Sequence, residues 1–256
     1  MQFEILDDFF IKYGKQYHAG LIDSKAARNL VKRYHYSGKV VSNSKLHLGV
    51  FSNDTDELVG VLQYGPCMNG NKTALRFSEE LPMFELNRMV MVDEEPRNAE
   101  SMALSLCNKW LKENTNLSYI LSFSDGKENN CGYIYQANNW KYLGYLLSDS
   151  FYDLDGEIKH NVTVWHQYKE KHELRDTHTT DEILCQYFQN ISKITSKQHV
   201  YVMPIKKKVK FNFPFLDYYP KMDKEIAILK RKWIKKDGEV IKMTETFTDE
   251  KIKPIY

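Results

Sequence analysis

Residues 84–111 read FELNRMVMVDEEPRNAESMALSLCNKWL, and the change of rhythm inside this stretch decides the fold class. The first nine residues are mostly apolar and long enough to lie centrally in a sheet. The polar DEEPRNAES that follows supplies turn residues and a cap. After it, Ala103, Leu104, Cys107 and Leu111 recur at helical spacing. Strand, polar connection and helix in this order place the chain in the α/β class.

Upstream, SKAARNLVKRYHYS puts Ala26, Ala27, Leu30, Val31 and Tyr34 on one helical face, with Ser24 or Asp23 placed to cap its start and Gly38 to stop it. LHLGVFS and ELVGVLQYG are β-rich runs separated by NDTDE, an Asn/Asp turn, and read as an antiparallel hairpin. Downstream, YILSFSD is a strand, GYIYQANNW a short helix or loop, and YLGYLLSDSFYDLDG a final strand and turn. Beyond about residue 155, HNVTVWHQYKEKH reads as strand then helix, TTDEILCQYFQNIS as a helix and HVYVMPI as a strand, and the tail after Thr244 is polar. We expect a core over 1–155 and a C-terminal extension over 156–256.

With 256 residues, 42% hydrophobic and 27% charged, the chain can bury one good core and lies outside the disordered range. Its first twenty residues interleave acids and Lys with apolar residues. A signal peptide or membrane span is therefore not expected, and the cytoplasm is the expected compartment. Cys67, Cys107, Cys131 and Cys185 form no CxxC pair, which argues against structural zinc and, in a reducing compartment, against disulfides.

The net charge of +2 hides an asymmetry. Residues 206–236 hold eleven Lys and Arg against Asp217, Asp223 and Glu225, an excess of eight, so the remainder carries six net negative charges. A basic face on an acidic body attracts a phosphate backbone. The plainer reading is a solvated helix and hairpin.

Four segments carry a family likeness: 84–111, SFSDGKENNCGYIYQANNWKYLG at 122–144, HVYVMPIKKKVKF at 199–211, and FPFLDYYPK ending at Lys221. Together they resemble the phage Mom-type DNA adenine modification proteins, themselves similar to GNAT acyltransferases. The resemblance spans roughly 24–221. It implies a GNAT-like mixed sheet flanked by helices, with the basic C-terminal extension added. It also implies transfer of a carbamoylmethyl group to the exocyclic amine of adenine, and so protection of phage DNA from restriction. The sequence departs from the acyltransferase pattern at EEPRNAES, which has no glycine where a pyrophosphate loop normally carries several.

Site residues follow from chemistry read beside this resemblance. Arg97, Asn98, Ala99, Glu100 and Ser101 open a helix whose N–H groups could receive a donor phosphate, unless they form a plain capped turn. Arg88, a charge within an apolar strand, is expected to face a cleft, or else to pair with Glu85. Ser124 and Asp125, with Ser122 before them, end a strand, where a hydroxyl and a carboxylate could orient an amine or accept its proton. Tyr135 and Tyr142 are candidates for protonating a leaving group. Asn139 and Trp140, with Tyr36, are candidates for reading and stacking a flipped base; equally, Tyr135 and Trp140 suit a core. His35 is a candidate base. No HxxxH or HxD partner accompanies it, so a metal ion is not expected. Lys206, Lys207, Lys208, Lys210 and Lys221 are the expected phosphate contacts.

The partner implied is double-stranded DNA, with tRNA added if the donor is glycyl-tRNA. The glycine-free loop favours that donor over acetyl-CoA. Two other classes compete: a nucleic-acid-binding module without catalysis, and a conventional N-acetyltransferase.

Overall fold

The computed structural model describes residues 2–35, 37–67, 75–125 and 131–218, and the backbone of 229–236 and 239–246. Its chain divides into two compact units, residues 1–123, 132–143 and 200–219 forming the first, and 124–131, 144–199 and 220–256 the second. The sequence-based boundary at 155/156 falls inside the second unit.

The first unit is a mixed sheet with helices packed on it, the architecture expected from the sequence. Its strands are β1 (Lys12–Tyr13), β2 (Tyr17–Leu21), β3 (Leu46–Ser52), β4 (Leu58–Gly65), β5 (Met83–Met91) and β6 (Tyr119–Asp125). Strands β1 to β5 pair antiparallel in order, and β6 then lies parallel to β5. That parallel step requires a crossover, made by helix α2 (Ala99–Asn114).

Helix α1 (Ser24–Tyr34) starts where the Asp23 carboxylate accepts from the N–H groups of Lys25 and Ala26. Ala27 and Val31 of α1 pack with Val61 and Val90 of the sheet. Helix α2 begins at Ala99, one turn before the sequence pattern places it. Its Ala103, Leu104, Cys107, Trp110 and Leu111 are fully buried in the main core with Leu62, Tyr64, Phe84 and Leu86. Each large apolar side chain removed from water in this way contributes about 1.5–3 kcal/mol. The N-terminal segment is tied to α2, as Trp110 Nε1 donates to the Phe10 carbonyl at 2.8 Å.

Short helix α3 (Tyr133–Ala137) follows Gly132, which has φ +82° and whose missing Cβ would fall 2.2 Å from the Tyr201 ring. A side chain there is excluded twice, by backbone conformation and by the ring. Strand β7 (Lys141–Leu154) comes next.

The second unit holds the later part of β7, β8 (Glu157–His160), α4 (Asn161–Val164) continued by a wider turn over Trp165–Lys169, and α5 (Thr180–Tyr187). Beyond α5 come most of β9 (Asn190–Pro204) and the hairpin of β10 (Leu229–Lys236) and β11 (Glu239–Thr246). Its core is Tyr152, Leu154, Val164, Leu184, Cys185 and Ile191. Thr179 and Glu182 close a capping box on α5. The sequence reading carried that helix on through Ser192. Instead it stops at Tyr187, because residues 190–195 pair with β10 and sheet pairing outweighs local propensity. All four cysteines are buried, and none is in a disulfide among the described residues.

Candidate active site

The site begins with an irregularity between β4 and β5. Gln63 lies opposite Arg88 and Tyr64 opposite Leu86, so Asn87 is an extra residue with no partner: a β-bulge. Before it, Phe84 and Leu86 join the core under α2; after it, Val90 packs against α1. With the strand's two-residue repeat, the bulge turns Arg88 to the α1 face along with Val90. On the other edge of β5, parallel pairing with β6 covers only Met83–Tyr119, Phe84–Ile120 and Glu85–Leu121. Past Glu85 the two strands part. The gap opens at the bulge, toward the end of β5 that leads into α2.

At the β6 side of this gap, Ser122 Oγ donates to Tyr135 Oη at 2.8 Å, both groups being buried. Tyr135 sits in an aromatic cluster, 5.1 Å from Trp140 and 5.2 Å from Tyr201, centroid to centroid, and Tyr142 is 5.1 Å from Tyr201. Gln136 Nε2 donates to Tyr201 Oη. Trp140 is 0% exposed, so its ring offers no face to a base; it packs the core, and the stacking role expected of it is corrected. Tyr142 is likewise 4% exposed and packed. Asn139 is exposed in the turn after α3, at φ +58°.

On the α1 face, Arg88 Nε donates to the Lys39 carbonyl at 3.0 Å and a terminal nitrogen donates to the Asn87 carbonyl at 2.7 Å. It is partly buried, and both of these bonds go to backbone carbonyls. The Arg88 charge reaches His35: burial, then that guanidinium, lower the His35 pKa to about 4. His35 Nδ1 accepts from the Ser37 N–H at 3.1 Å and lies 2.8 Å from Ser37 Oγ. This assigns the proton of the neutral ring to Nε2, which can donate but cannot accept. In that tautomer the neutral His35 ring offers a donor at Nε2.

The loop entering α2 differs from an open anion site. Asn98 precedes the helix and makes no side-chain cap, and Ser101 Oγ accepts from Asn138 Nδ2 at 3.0 Å. Glu95 is gripped by a short hydrogen bond from the Tyr17 hydroxyl, whose pKa is raised by burial and by Glu95. Arg97 is exposed, but Asp93, Glu94 and Glu100 are exposed around it. Their charge offsets much of the attraction that a helix N-terminus has for anions.

Ser124 and Asp125 belong to the second unit, where Ser124 is buried and Asp125 Oδ1 accepts from Ser196 Oγ at 3.1 Å. Lys206, Lys207, Lys208 and Lys210 are exposed after β9. Tyr36 and Lys221 lie outside the described residues. Among the described residues no group of three or more His, Cys, Asp and Glu is placed to hold a metal, and no helix is long and apolar enough to cross a membrane.

Residues 16–221 match the Mom protein family. The chain belongs to that family. Methylcarbamoylase mom of Escherichia phage Mu is 38% identical over 158 residues, covering 60% of this chain and 64% of that protein. The chain thus spans just under two thirds of the curated relative's length. Among solved structures, the ribosomal-protein-S5-alanine acetyltransferase of Vibrio fischeri aligns with TM-score 0.42 and 9% identity over 77% of this chain and 98% of its own. The ribosomal-protein-S18-alanine N-acetyltransferase of Escherichia coli aligns with TM-score 0.41 and 8% identity over 78% and 99%.

The Mom match takes in the whole of β3, β4 and β5, where sequence reasoning passed over polar residues. His47 and Gln63, each in an apolar run, are buried on neighbouring strands, and Gln63 Nε2 lies 3.1 Å from His47 Nδ1. Burial, then the charge of Arg28, lower the His47 pKa. Ser44 Oγ donates to Asn87 Oδ1 at 3.0 Å and helps hold the bulge. Gln63 Oε1, Asn87 Nδ2 and Arg28 Nε are buried with no hydrogen-bond partner among the described residues. The signal that could have found His47 and Gln63 is the one that found Arg88, a polar residue interrupting an apolar strand in this Mom-family sheet.

Proposed function

We propose that this protein is a transferase that converts adenine in duplex DNA to N6-carbamoylmethyladenine and so shields phage DNA from restriction. Membership in the Mom family, with a relative named methylcarbamoylase, is the observation that carries the reading. The parted β5–β6 strands support it by offering a gap next to a buried hydroxyl pair. In this reading Arg88 and the neutral His35 present donors to the substrate. The Ser122–Tyr135 pair returns a proton to the leaving group. The adenine amine is a weak nucleophile, so activation and positioning must both be supplied.

For the donor we favour glycyl-tRNA over acetyl-CoA. A pyrophosphate needs close backbone approach and a positive field, whereas 94–101 has no glycine and three exposed acids surround Arg97. The α-ammonium of a glycyl ester suits those acids better. Glycyl transfer forms a bond from N6 to the carbonyl carbon and breaks the ester, releasing the tRNA hydroxyl. The result is an isomer of the carbamoylmethyl product, so the reading also requires a redox-neutral rearrangement in which the N6–carbonyl and methylene–amine bonds break and the N6–methylene and carbonyl–nitrogen bonds form.

The test is nucleoside mass spectrometry of DNA from cells expressing the chain, with carbonyl-labelled glycine and fragmentation to separate the isomers. We expect adenosine heavier by a glycine residue, carrying label. Normal nucleosides alone would favour a binding module, and an acetyl increment a conventional acetyltransferase.

A further inference from the structure

A concavity of about 800 Å³ runs beside α2 from Asn138, which donates to Ser101 near the helix start, to Lys112 and Thr115 at the helix end; Asn139 and Lys141 after α3 and Lys206 and Lys207 after β9 complete its polar lining, over an apolar floor. Four of its lining residues are lysines and none is acidic. The neighbouring acid Glu113 is neutralised by Lys12, at 2.5 Å. Lys112, Lys141 and Lys207 are exposed, while Lys206 Nζ donates to Ser118 Oγ at 3.2 Å. The end of α2 contributes about half a negative charge there, far less than four ammonium groups. Like charges gathered in one hollow repel one another unless an anion lies between them. Amides and ammoniums together suit phosphate oxygens, which accept from both.

We infer that this concavity seats the phosphodiester backbone of the DNA duplex several base pairs from the adenine being modified; the inference rests on the adenine-transfer reading above. Eleven residues of α2 separate Ser101 from Lys112, about 16 Å at the helical rise of about 1.5 Å. A duplex rising about 3.4 Å per base pair covers that span in roughly five base pairs. A base lodged in the gap leaves its own duplex long enough to reach Lys112, while a small donor bound at the start of α2 meets the concavity only at its Asn138 end. Lys112 and Lys141, from elements remote in sequence from the 206–236 run, complete the surface.

The experiment measures binding of the full chain, without donor, to hairpin-capped duplexes whose arms beyond the target adenine are about three or about fifteen base pairs long. The wild type should bind the long arm more tightly. Replacing Lys112, Lys141 and Lys207 together by Gln should weaken long-arm binding roughly 10- to 100-fold at moderate salt and lower the log–log salt slope by about 2 to 3, since each phosphate contact contributes about 0.9. Short-arm binding should stay within about twofold, and the matching triple Lys→Arg variant should bind as the wild type does. Equal binding of both lengths by the wild type, an equal loss on both arms in the Gln variant, or loss of tRNA binding with duplex binding intact each overturns the inference. If length-dependent binding appears while DNA stays unmodified in cells, the adenine-transfer reading fails and the concavity stands.

Discussion

Tyr135→Phe and Ser122→Ala, singly and combined, test whether the hydroxyl pair beside the β5–β6 gap is structural or chemical. Ser122 Oγ donates to Tyr135 Oη at 2.8 Å, with Ser122 1% and Tyr135 9% exposed. Removing the tyrosine hydroxyl strands a buried serine, at a cost of about 1–3 kcal/mol; removing both hydroxyls costs little more, because neither half of this hydrogen bond then remains without the other. The singles should therefore be non-additive, with a coupling of about 1–2 kcal/mol. For a chain of this size each kcal/mol moves the melting temperature by roughly 2–4 °C. Tyr135→Phe should melt about 3–8 °C low and the double variant no lower. Assayed well below melting, Tyr135→Phe should lose about 100-fold or more in turnover if Tyr135 moves a proton, a loss that its stability change cannot produce. Full turnover with strong thermal coupling would leave the pair as a structural clip. Additive thermal losses would show that the two hydroxyls do not act on one another at all.

His35 gives a pH prediction whose sign follows from its lowered pKa of about 4. The unfolded histidine takes a proton near 6.5, the folded one only near 4, so stability is level above about pH 6.5 and falls between 6.5 and 4. Discounted for its partial exposure, the loss is on the order of 1–2 kcal/mol. His35→Gln should flatten urea-melt stability over that range, leaving the residual slope of His47, whose shift has the same direction. An unchanged slope would show that His35 is open to solvent. Trp140→Ala should destabilise by about 3–5 kcal/mol. The milder Trp140→Phe should bind duplex DNA as the wild type does in a fluorescence titration. Weakened binding at unchanged stability would restore the indole to base recognition.

Much of the sheet was legible because its signals were local. The Asp23 cap, the Ala27–Val31 stripe and the Asn/Asp turn between β3 and β4 each occupy a few adjacent residues. Strand β2, YHAGL, escaped because two ring residues followed by Ala, Gly and Leu carry no two-residue alternation. Of strand β9 only the end, HVYVMPI, was read as a strand; its earlier part escaped because Ser192, Thr195, Ser196 and Lys197 are polar and yet buried, so no hydrophobic pattern marks it. Arg88 was found as a charge in an apolar strand, but not the reason it can be there. The bulge at Asn87 exchanges the faces of β5 partway along, and a strict two-residue period read from sequence runs straight through it. The aromatics of 133–142 stayed ambiguous since core packing and base stacking ask for the same residues.

Charge along α2 has to be divided between the helix and its ligands. Acids at its start and Lys112 in its last turn are what the helix dipole favours, each by about 0.3–1 kcal/mol, and require no ligand. That account covers Glu100 and Lys112; Lys141, Lys206 and Lys207 come from other elements, and together with Lys112 they bring far more positive charge to this end than the half charge of the dipole balances. The two explanations part on single substitutions. Lys112→Gln should lower stability by a few tenths of a kcal/mol, and Lys141→Gln and Lys207→Gln by none, while all three should weaken long-duplex binding alike. Since the proposed reading puts the chemistry at the β5–β6 gap, rising salt should raise the apparent Michaelis constant for DNA and leave turnover nearly constant. A fall in turnover at saturating DNA would instead bring the lysines into the reaction itself.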